Sequence, residues 1–383
     1  MPLSCTIANT FPGPLIVDAG GPCLSLYQPT HRYAPDNRQD PILFKNLVKK
    51  LEDSLKQGYA GQVVRDLLAP FYQLLEDDEF WDHTLDGLAM LVNSKQCILY
   101  RLYRPMPALA ITADSPHIKP LLRYFQSTME YRVLALERDH FVLYRGNRYG
   151  LDAEVIESLL EEKGGPEGKK DRAEKYFGGY GSHSGRSTVF FGHGSRKEDM
   201  ANDLEKYFRG VDAFVQENFT AHDRLPVILS ASGEHQAMFR KITKNPLIFA
   251  EGIRPPGDDR DEDALTEAAW RVMETVYMND MKELLEKYRQ AESDSMASAD
   301  PSDVAKAVAE GRVETLLLEA DRIVPGKIDP HTGSLMFGDL DKPDMDDVLD
   351  DMAEIVFRYG GRTVVLPVDL MPGSSGVAAL YRY

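Results

Sequence analysis

Strand-sized apolar runs alternate with segments of helical period along most of the chain. A chain with that alternation can bury its apolar faces only as sheets covered by helices. The runs 23–27, 87–92, 97–102 and 108–112 read as strands. Between them, Ile42, Leu43, Leu47, Leu51 and Leu55 recur at helical spacing, and so do Val63, Val64, Leu67, Leu68, Phe71, Leu74 and Leu75. Pro70 in the second helix predicts a kink or break. A short helix is expected over 117–125. Residues 131–136 and 141–145 flank the polar turn 137–140 and read as a hairpin, followed by a helix over 153–162. Met200, Leu204, Phe208, Val211 and Val215 mark an amphipathic helix. Residues 225–229 form a buried strand, and 230–233 turn into a helix over 234–242.

Further along, a long helix carries Leu265 to Tyr288, 292–299 reads as a loop, and Asp300 with Pro301 opens a helix that stops at Gly311. The strand 313–318, the helix 345–359 and the strands 363–366 and 377–381 complete the chain. A length of 383 residues carries a prior of two to three domains. The expected division is an N-terminal α+β domain over 1–128, a middle domain over 129–271 and an α/β domain over 272–383.

Hydrophobic residues make up 43% and charged residues 27%, which excludes disordered and collagen-like classes. No run approaches the ~20 apolar residues of a membrane span, and no signal peptide is recognisable. Three cysteines (Cys5, Cys23 and Cys97), with no CxxC pair, point to a reducing cytoplasmic setting and no zinc site. The net charge of −17 is unevenly placed. Residues 246–383 hold 14 basic and 29 acidic side chains, against near balance before them. The acidic third is therefore expected to face solvent or a basic protein partner, while the first two thirds remain free to meet RNA.

The most unusual stretch is 177–194, in which six of eighteen residues are glycine. Around it, 163–197 carries eight basic and three acidic residues. Glycine lets a backbone approach another surface closely, and the basic groups attract phosphate. An ordinary surface loop is the bland alternative. Familiar catalytic motifs are absent: no HExxH, no Walker loop, no EF-hand, and no ligand-like pairing among the nine histidines. No metal or cofactor is expected. In 181–185 a nucleophile elbow is spoiled by His183 at the place of serine. Ser230 to His235 could hold an anion at a helix start, although a hydroxyl there is commonly only a cap.

The order of these segments resembles a known group. The hairpin 131–145, the glycine-rich loop, the helix after it and 225–233 resemble the middle domain of archaeo-eukaryotic class I peptide-chain release factors and of Pelota. Gly311-Arg312-Val313-Glu314-Thr315-Leu316-Leu317-Leu318 resembles their third-domain phrase G-x-V-E-T-L-L. Gly376-Val377-Ala378-Ala379-Leu380-Tyr381-Arg382-Tyr383 resembles their terminal strand. The opening Pro22-Cys23-Leu24-Ser25-Leu26-Tyr27-Gln28-Pro29-Thr30-His31-Arg32, with Gln39-Asp40-Pro41 and Phe44-Lys45-Asn46-Leu47, resembles the bacterial archaeo-eukaryotic release factor family, its third subgroup in particular.

The resemblance implies an RNase H-like middle domain and a C-terminal α/β domain similar to kink-turn-binding ribosomal proteins. It implies a ribosomal A-site ligand shaped partly like tRNA, with rRNA and peptidyl-tRNA as expected partners, and a translational GTPase is a candidate for the basic partner of the acidic third. True release factors carry a Gly-Gly-Gln loop, but here Gly178 and Gly179 are followed by Tyr180, and Gly-Gly-Gln occurs nowhere. The expected function is ribosome binding in rescue or hibernation. The expected RNA-binding loop contains Lys169, Lys170, Arg172, Lys175, Gly178, Gly179, Tyr180, Arg186, Arg196 and Lys197. Two alternatives stay open: a peptidyl-tRNA hydrolase in which His183 or His193 places water, and an RNA- or protein-binding module unrelated to the A site.

Overall fold

The computed structural model describes residues 5–8, 11, 21–127, 129–138, 140–154, 189–190, 197–255, 261–340, 342 and 345–383. The chain forms two compact units, Met1–Ser127 with Met281–Tyr383, and Thr128–Asp280. The first and last segments of the sequence thus share one unit.

The chain opens with β1 (Cys5–Ile7) and β2 (Cys23–Pro29), followed by helices α1 (Asp40–Gly58), α2 (Gly61–Leu75) and α3 (Asp78–Asp82). Then come β3 (Gly87–Val92), β4 (Cys97–Leu102), β5 (Leu109–Ala113) and α4 (Lys119–Ser127). The sheet order is β1-β4-β3-β2-β5, so the wholly buried β3 lies at its centre. Phe44, Leu47, Val48, Leu51 and Leu55 are buried at three- and four-residue spacing on α1, and they pack with Val64, Leu67 and Phe71 of α2 against Leu24, Leu26, Met90 and Leu99. Pro70 does not break α2, which runs on to Leu75 with the proline buried inside it. Cys5 and Cys97 are register partners on parallel strands, 4.5 Å apart at Cα, and are joined as a disulfide. The odd cysteine count gave no sign of this pairing, which the strand register alone creates.

The second unit is built on β6 (Tyr131–Leu136), β7 (His140–Asn147), β8 (Gly150–Ala153) and β9 (Val189–Phe190). It continues with α5 (Lys197–Val215), a π-helical turn (Gln216–Thr220), β10 (Val227–Ser230) and α6 (Gly233–Ile242). Its main sheet has the order β10-β6-β7-β8, with β6 to β8 antiparallel and β10 parallel to β6. Alternate residues serve opposite faces, as the pleat requires. Leu134, Leu136, Phe141 and Leu143 pack on α5 and α6 through Phe208, Val211, Phe214 and Phe239. Tyr131, Val133, Tyr144 and Leu151 pack on Leu265, Ala269, Trp270 and Met273 of α7 (Glu262–Ser293). Strand β8 ends at Ala153, with Asp152 and Ala153 paired to Arg145 and Tyr144; of the helix expected over 153–162, residues 155–162 lie outside the described residues.

The last elements are β11 (Ala297–Ser298), α8 (Pro301–Ala309), β12 (Val313–Glu319), β13 (Pro325–Ile328), β14 (Leu335–Phe337), β15 (Asp346–Asp347), α9 (Val348–Arg358), β16 (Arg362–Leu366) and β17 (Val377–Tyr381). One sheet has the order β11-β17-β12-β16, and a small second one has the order β14-β13-β15. Val304, Val308, Val348, Met352 and Val356 pack on Leu316, Leu318, Val365 and Ala379, joined by Ile118 and Leu122 from the α4 region. Asp300 caps α8 by accepting from the Ser302 and Asp303 N–H groups, and Gly311 ends it at a φ of +68°. The helix expected from Met345 starts later, because Asp346 and Asp347 pair with Gly326 and Pro325 as β15. Asp347 then caps α9 through the Leu349 N–H.

Candidate functional site: a buried acidic centre

The first unit encloses a group of ionisable side chains between the start of α4 and the start of α9. The loop after β5 delivers His117, whose side chain is 1% exposed. Its backbone is fixed at both ends. The N–H donates to Ser25 Oγ at 2.9 Å, and the carbonyl accepts from Tyr27 Oη at 2.5 Å. Its Nδ1 lies 3.0 Å from Asp346 Oδ1 and 3.6 Å from Asp350 Oδ1. Asp350 in turn accepts from the Ile118 and Lys119 N–H groups at 2.8 and 2.5 Å, placing a carboxylate at the positive end of α4. Lys119 Nζ donates to Asp347 Oδ2 and to the Arg322 carbonyl. Asp347 Oδ1 accepts from the Val324 N–H at 2.8 Å. Asp346 Oδ2 is buried and has no hydrogen-bond partner among the described residues.

These groups are strongly perturbed. Burial, reinforced by Asp347, drives the Asp346 carboxyl well above the usual carboxylate range. Burial likewise pushes Asp350 up to about 8, against the opposing pull of His117 and the Ile118 N–H. Asp351 is raised by burial and then by Asp346. His117 is lowered by burial, so its imidazole is neutral at physiological pH. Nearby, burial pushes the Cys23 thiol up to about 12, which makes it unreactive. A cavity of ≈ 420 Å³ adjoins the centre, lined in part by Asp114, Lys327, Asp329, Asp346, Asp351 and Arg358. One nitrogen and two carboxylate oxygens, from His117, Asp346 and Asp350, come within 4.8 Å of one another. Such a set can share protons or hold a cation.

None of this was in the sequence reading, in which the histidines had no ligand-like partners and the acidic third faced outward. Asp346, Asp347, Asp350 and Glu354 are instead buried. Asp347 and Asp350 cap α9 and α4, Asp346 meets His117, Lys119 pairs with Asp347, and Glu354 pairs with Arg358. His117 and Asp346 are 229 residues apart, so spacing could not join them. The available signal was the recurrence of acids at 346, 350 and 354, four residues apart, the first just before α9 and the other two among its apolar positions.

The residues chosen from sequence fall elsewhere. Lys169, Lys170, Arg172, Lys175, Gly178, Gly179, Tyr180, His183, Arg186, His193 and Arg196 lie outside the described residues, and Lys197 enters only as the first backbone position of α5. At Ser232, the hydroxyl accepts from the His235 N–H at 3.2 Å, as a helix cap does. Among the described residues, no helix is long and apolar enough to cross a membrane.

Residues 130–312 match the model of bacterial archaeo-eukaryotic release factor family 3. The resemblance read from the sequence holds across that span. The family 3 segment takes in β6 to α8, with the glycine-rich stretch inside it, and ends before β12; the acidic centre lies outside it. No curated protein matches the chain. Among solved structures, an archaeal translation termination factor, aRF1, is 16% identical, covering 94% of this chain and 92% of its own at a TM-score of 0.27. Dom34 of S. cerevisiae, a translation termination-like factor, is 12% identical over 66% of this chain and 63% of its own, with a TM-score of 0.36. Pelota of Archaeoglobus fulgidus is 15% identical over 68% and 66%, with a TM-score of 0.32.

Proposed function

We propose that the chain is a ribosome-associated translation factor that occupies the A site in rescue or hibernation and has no hydrolytic chemistry of its own. The observation that carries this reading is the family 3 match over 130–312, which contains the whole basic, glycine-rich stretch 163–197. In a chain of net charge −17, that stretch is where attraction to rRNA phosphate wins, through Lys169, Lys170, Arg172 and Lys175. The missing Gly-Gly-Gln supports a binding role over peptide release. The meander β6-β7-β8 beside a parallel β10 supports the RNase H-like reading of the middle segment. The acidic remainder of 246–383 is the side offered to a basic protein such as a translational GTPase.

The test is a pull-down of the tagged chain from cells, followed by a peptide-release assay on stalled ribosomes. Ribosomes should co-purify, and labelled peptide should stay at the background seen without the factor. Failure of ribosomes to co-purify would remove the reading. Release that disappears in His193→Ala would replace it with a hydrolase.

A further inference from the structure

We propose that His117, Asp346 and Asp350 form a binding site for one divalent transition-metal cation, reached from the adjoining cavity. The argument starts from distances. Metal–ligand bonds of ~2.1 Å put neighbouring donor atoms roughly 3.0 Å apart at octahedral angles and roughly 3.4 Å apart at tetrahedral ones. His117 Nδ1 lies 3.0 Å from Asp346 Oδ1, a hydrogen bond that a cation would replace, and 3.6 Å from Asp350 Oδ1, both close to those edges. The three donor atoms lie within 4.8 Å of one another, so one cation can reach all of them.

The second observation is the unpartnered Asp346 Oδ2. The Asp346 side chain is 2% exposed and lines the ≈ 420 Å³ cavity, yet this oxygen accepts no hydrogen bond among the described residues. A buried acceptor without a donor is costly, and a cation supplies the missing partner. Asp346 is also the one member of the triad on the cavity wall, so it joins the site to its access path.

Charge points the same way. Lys119 pairs with Asp347, and among the described residues neither Asp346 nor Asp350 has a lysine or arginine partner. A divalent ion balances two carboxylates. The site also has orienting outer contacts. The Ile118 and Lys119 N–H groups hold Asp350, while Ser25 and Tyr27 hold the His117 backbone. Asp350 Oδ2 accepts one N–H at 3.0 Å and keeps lone-pair capacity for a cation. The imidazole donor favours Zn²⁺ over Mg²⁺ or Ca²⁺, and the two carboxyl groups also admit Mn²⁺.

The experiment uses the full chain stripped with chelator, then titrated with Zn²⁺ or Mn²⁺. One ion per chain should bind, and a hundredfold excess over Kd should raise Tm by about 5–10 °C. Asp346→Asn keeps the shape and removes the charge. It should fold in metal-free buffer and lose at least about a hundredfold in affinity, and His117→Gln should do the same. Electron spin-echo spectra of the Mn²⁺-loaded parent should show ¹⁴N modulation from the imidazole, a readout that needs no variant. Absence of stoichiometric binding, unchanged affinity in folded Asp346→Asn, or bound Mn²⁺ without ¹⁴N modulation would each overturn the assignment.

Discussion

Replacing Lys119 with methionine removes a buried ammonium and leaves the packing volume nearly unchanged. Its partner Asp347 is fully buried and would be left as a carboxylate without a counter-charge. Breaking a buried pair from one side costs about 3–5 kcal/mol. The Val324 and Leu349 N–H groups still reach Asp347 at 2.8 and 3.1 Å, so the expected loss is at the lower end, about 3 kcal/mol. For a unit of this size that lowers Tm by about 6–12 °C. Asp347→Asn provides the second arm of a double-mutant cycle, because asparagine still caps α9 while removing the charge. The double variant should recover at least about 1 kcal/mol relative to Lys119→Met alone. Urea unfolding of all four proteins, read with a probe in the first unit, gives the cycle. Loss of under about 1 kcal/mol in Lys119→Met, or strict additivity in the double variant, would show that the pair does not hold α4 to the α9 region.

Arg132 in the second unit is 3% exposed and bonds both oxygens of Asp223 at 2.7 Å, with Glu154 beside it; Arg132→Gln should lower the stability of that unit by about 1–3 kcal/mol in chemical denaturation. Burial raises the Asp223 carboxyl, but the Arg132 and Leu225 hydrogen bonds outweigh it and hold it below its ordinary 3.8. Its stabilisation is therefore present above that pH and lost as pH falls through the lowered value, and acid unfolding of Asp223→Asn should show a shallower dependence there. Phe208→Ala, at a fully buried ring on α5 packed edge-on against Phe239 of α6, should cost about 3–5 kcal/mol. Gly333→Ala should cost about 1–3 kcal/mol by thermal melt, since φ is +72° and a Cβ would sit 2.7 Å from the Ala305 carbonyl oxygen.

Periodicity located the elements whose burial is strong and whose pattern is local. β3, β4 and β6 begin and end where their apolar runs do, because nearly every position in them is buried. The caps at Asp300 and Gly311 were legible for the same reason: each is decided within four residues of chain. β11, β13, β14 and β15 were not legible. They are two to four residues long and owe their existence to partners such as Leu380 or Phe337, brought in by the rest of the fold. The acidic centre was hidden by the same rule, since its members come from the loop after β5 and from the start of α9. Composition misled there as well. A net charge is a property of the whole segment, while three of its acids are buried where they cap helices or meet His117 and Lys119, and a fourth, Glu354, where it pairs with Arg358. The likeness to bacterial archaeo-eukaryotic release factor family 3 was read from contiguous phrases, and the match to that family's model spans residues 130–312.

The most direct test of ribosome binding is co-sedimentation with ribosomes across a salt series, for the parent chain and for the variant with Lys169, Lys170, Arg172 and Lys175 all changed to alanine. Each phosphate contact contributes about 0.9 to the slope of log affinity against log salt on duplex nucleic acid. The variant should bind more weakly at low salt, with a slope shallower by about 3–4 and an unchanged thermal midpoint. Binding as tight as the parent's, with the same slope, would contradict the assignment of this stretch as the RNA contact.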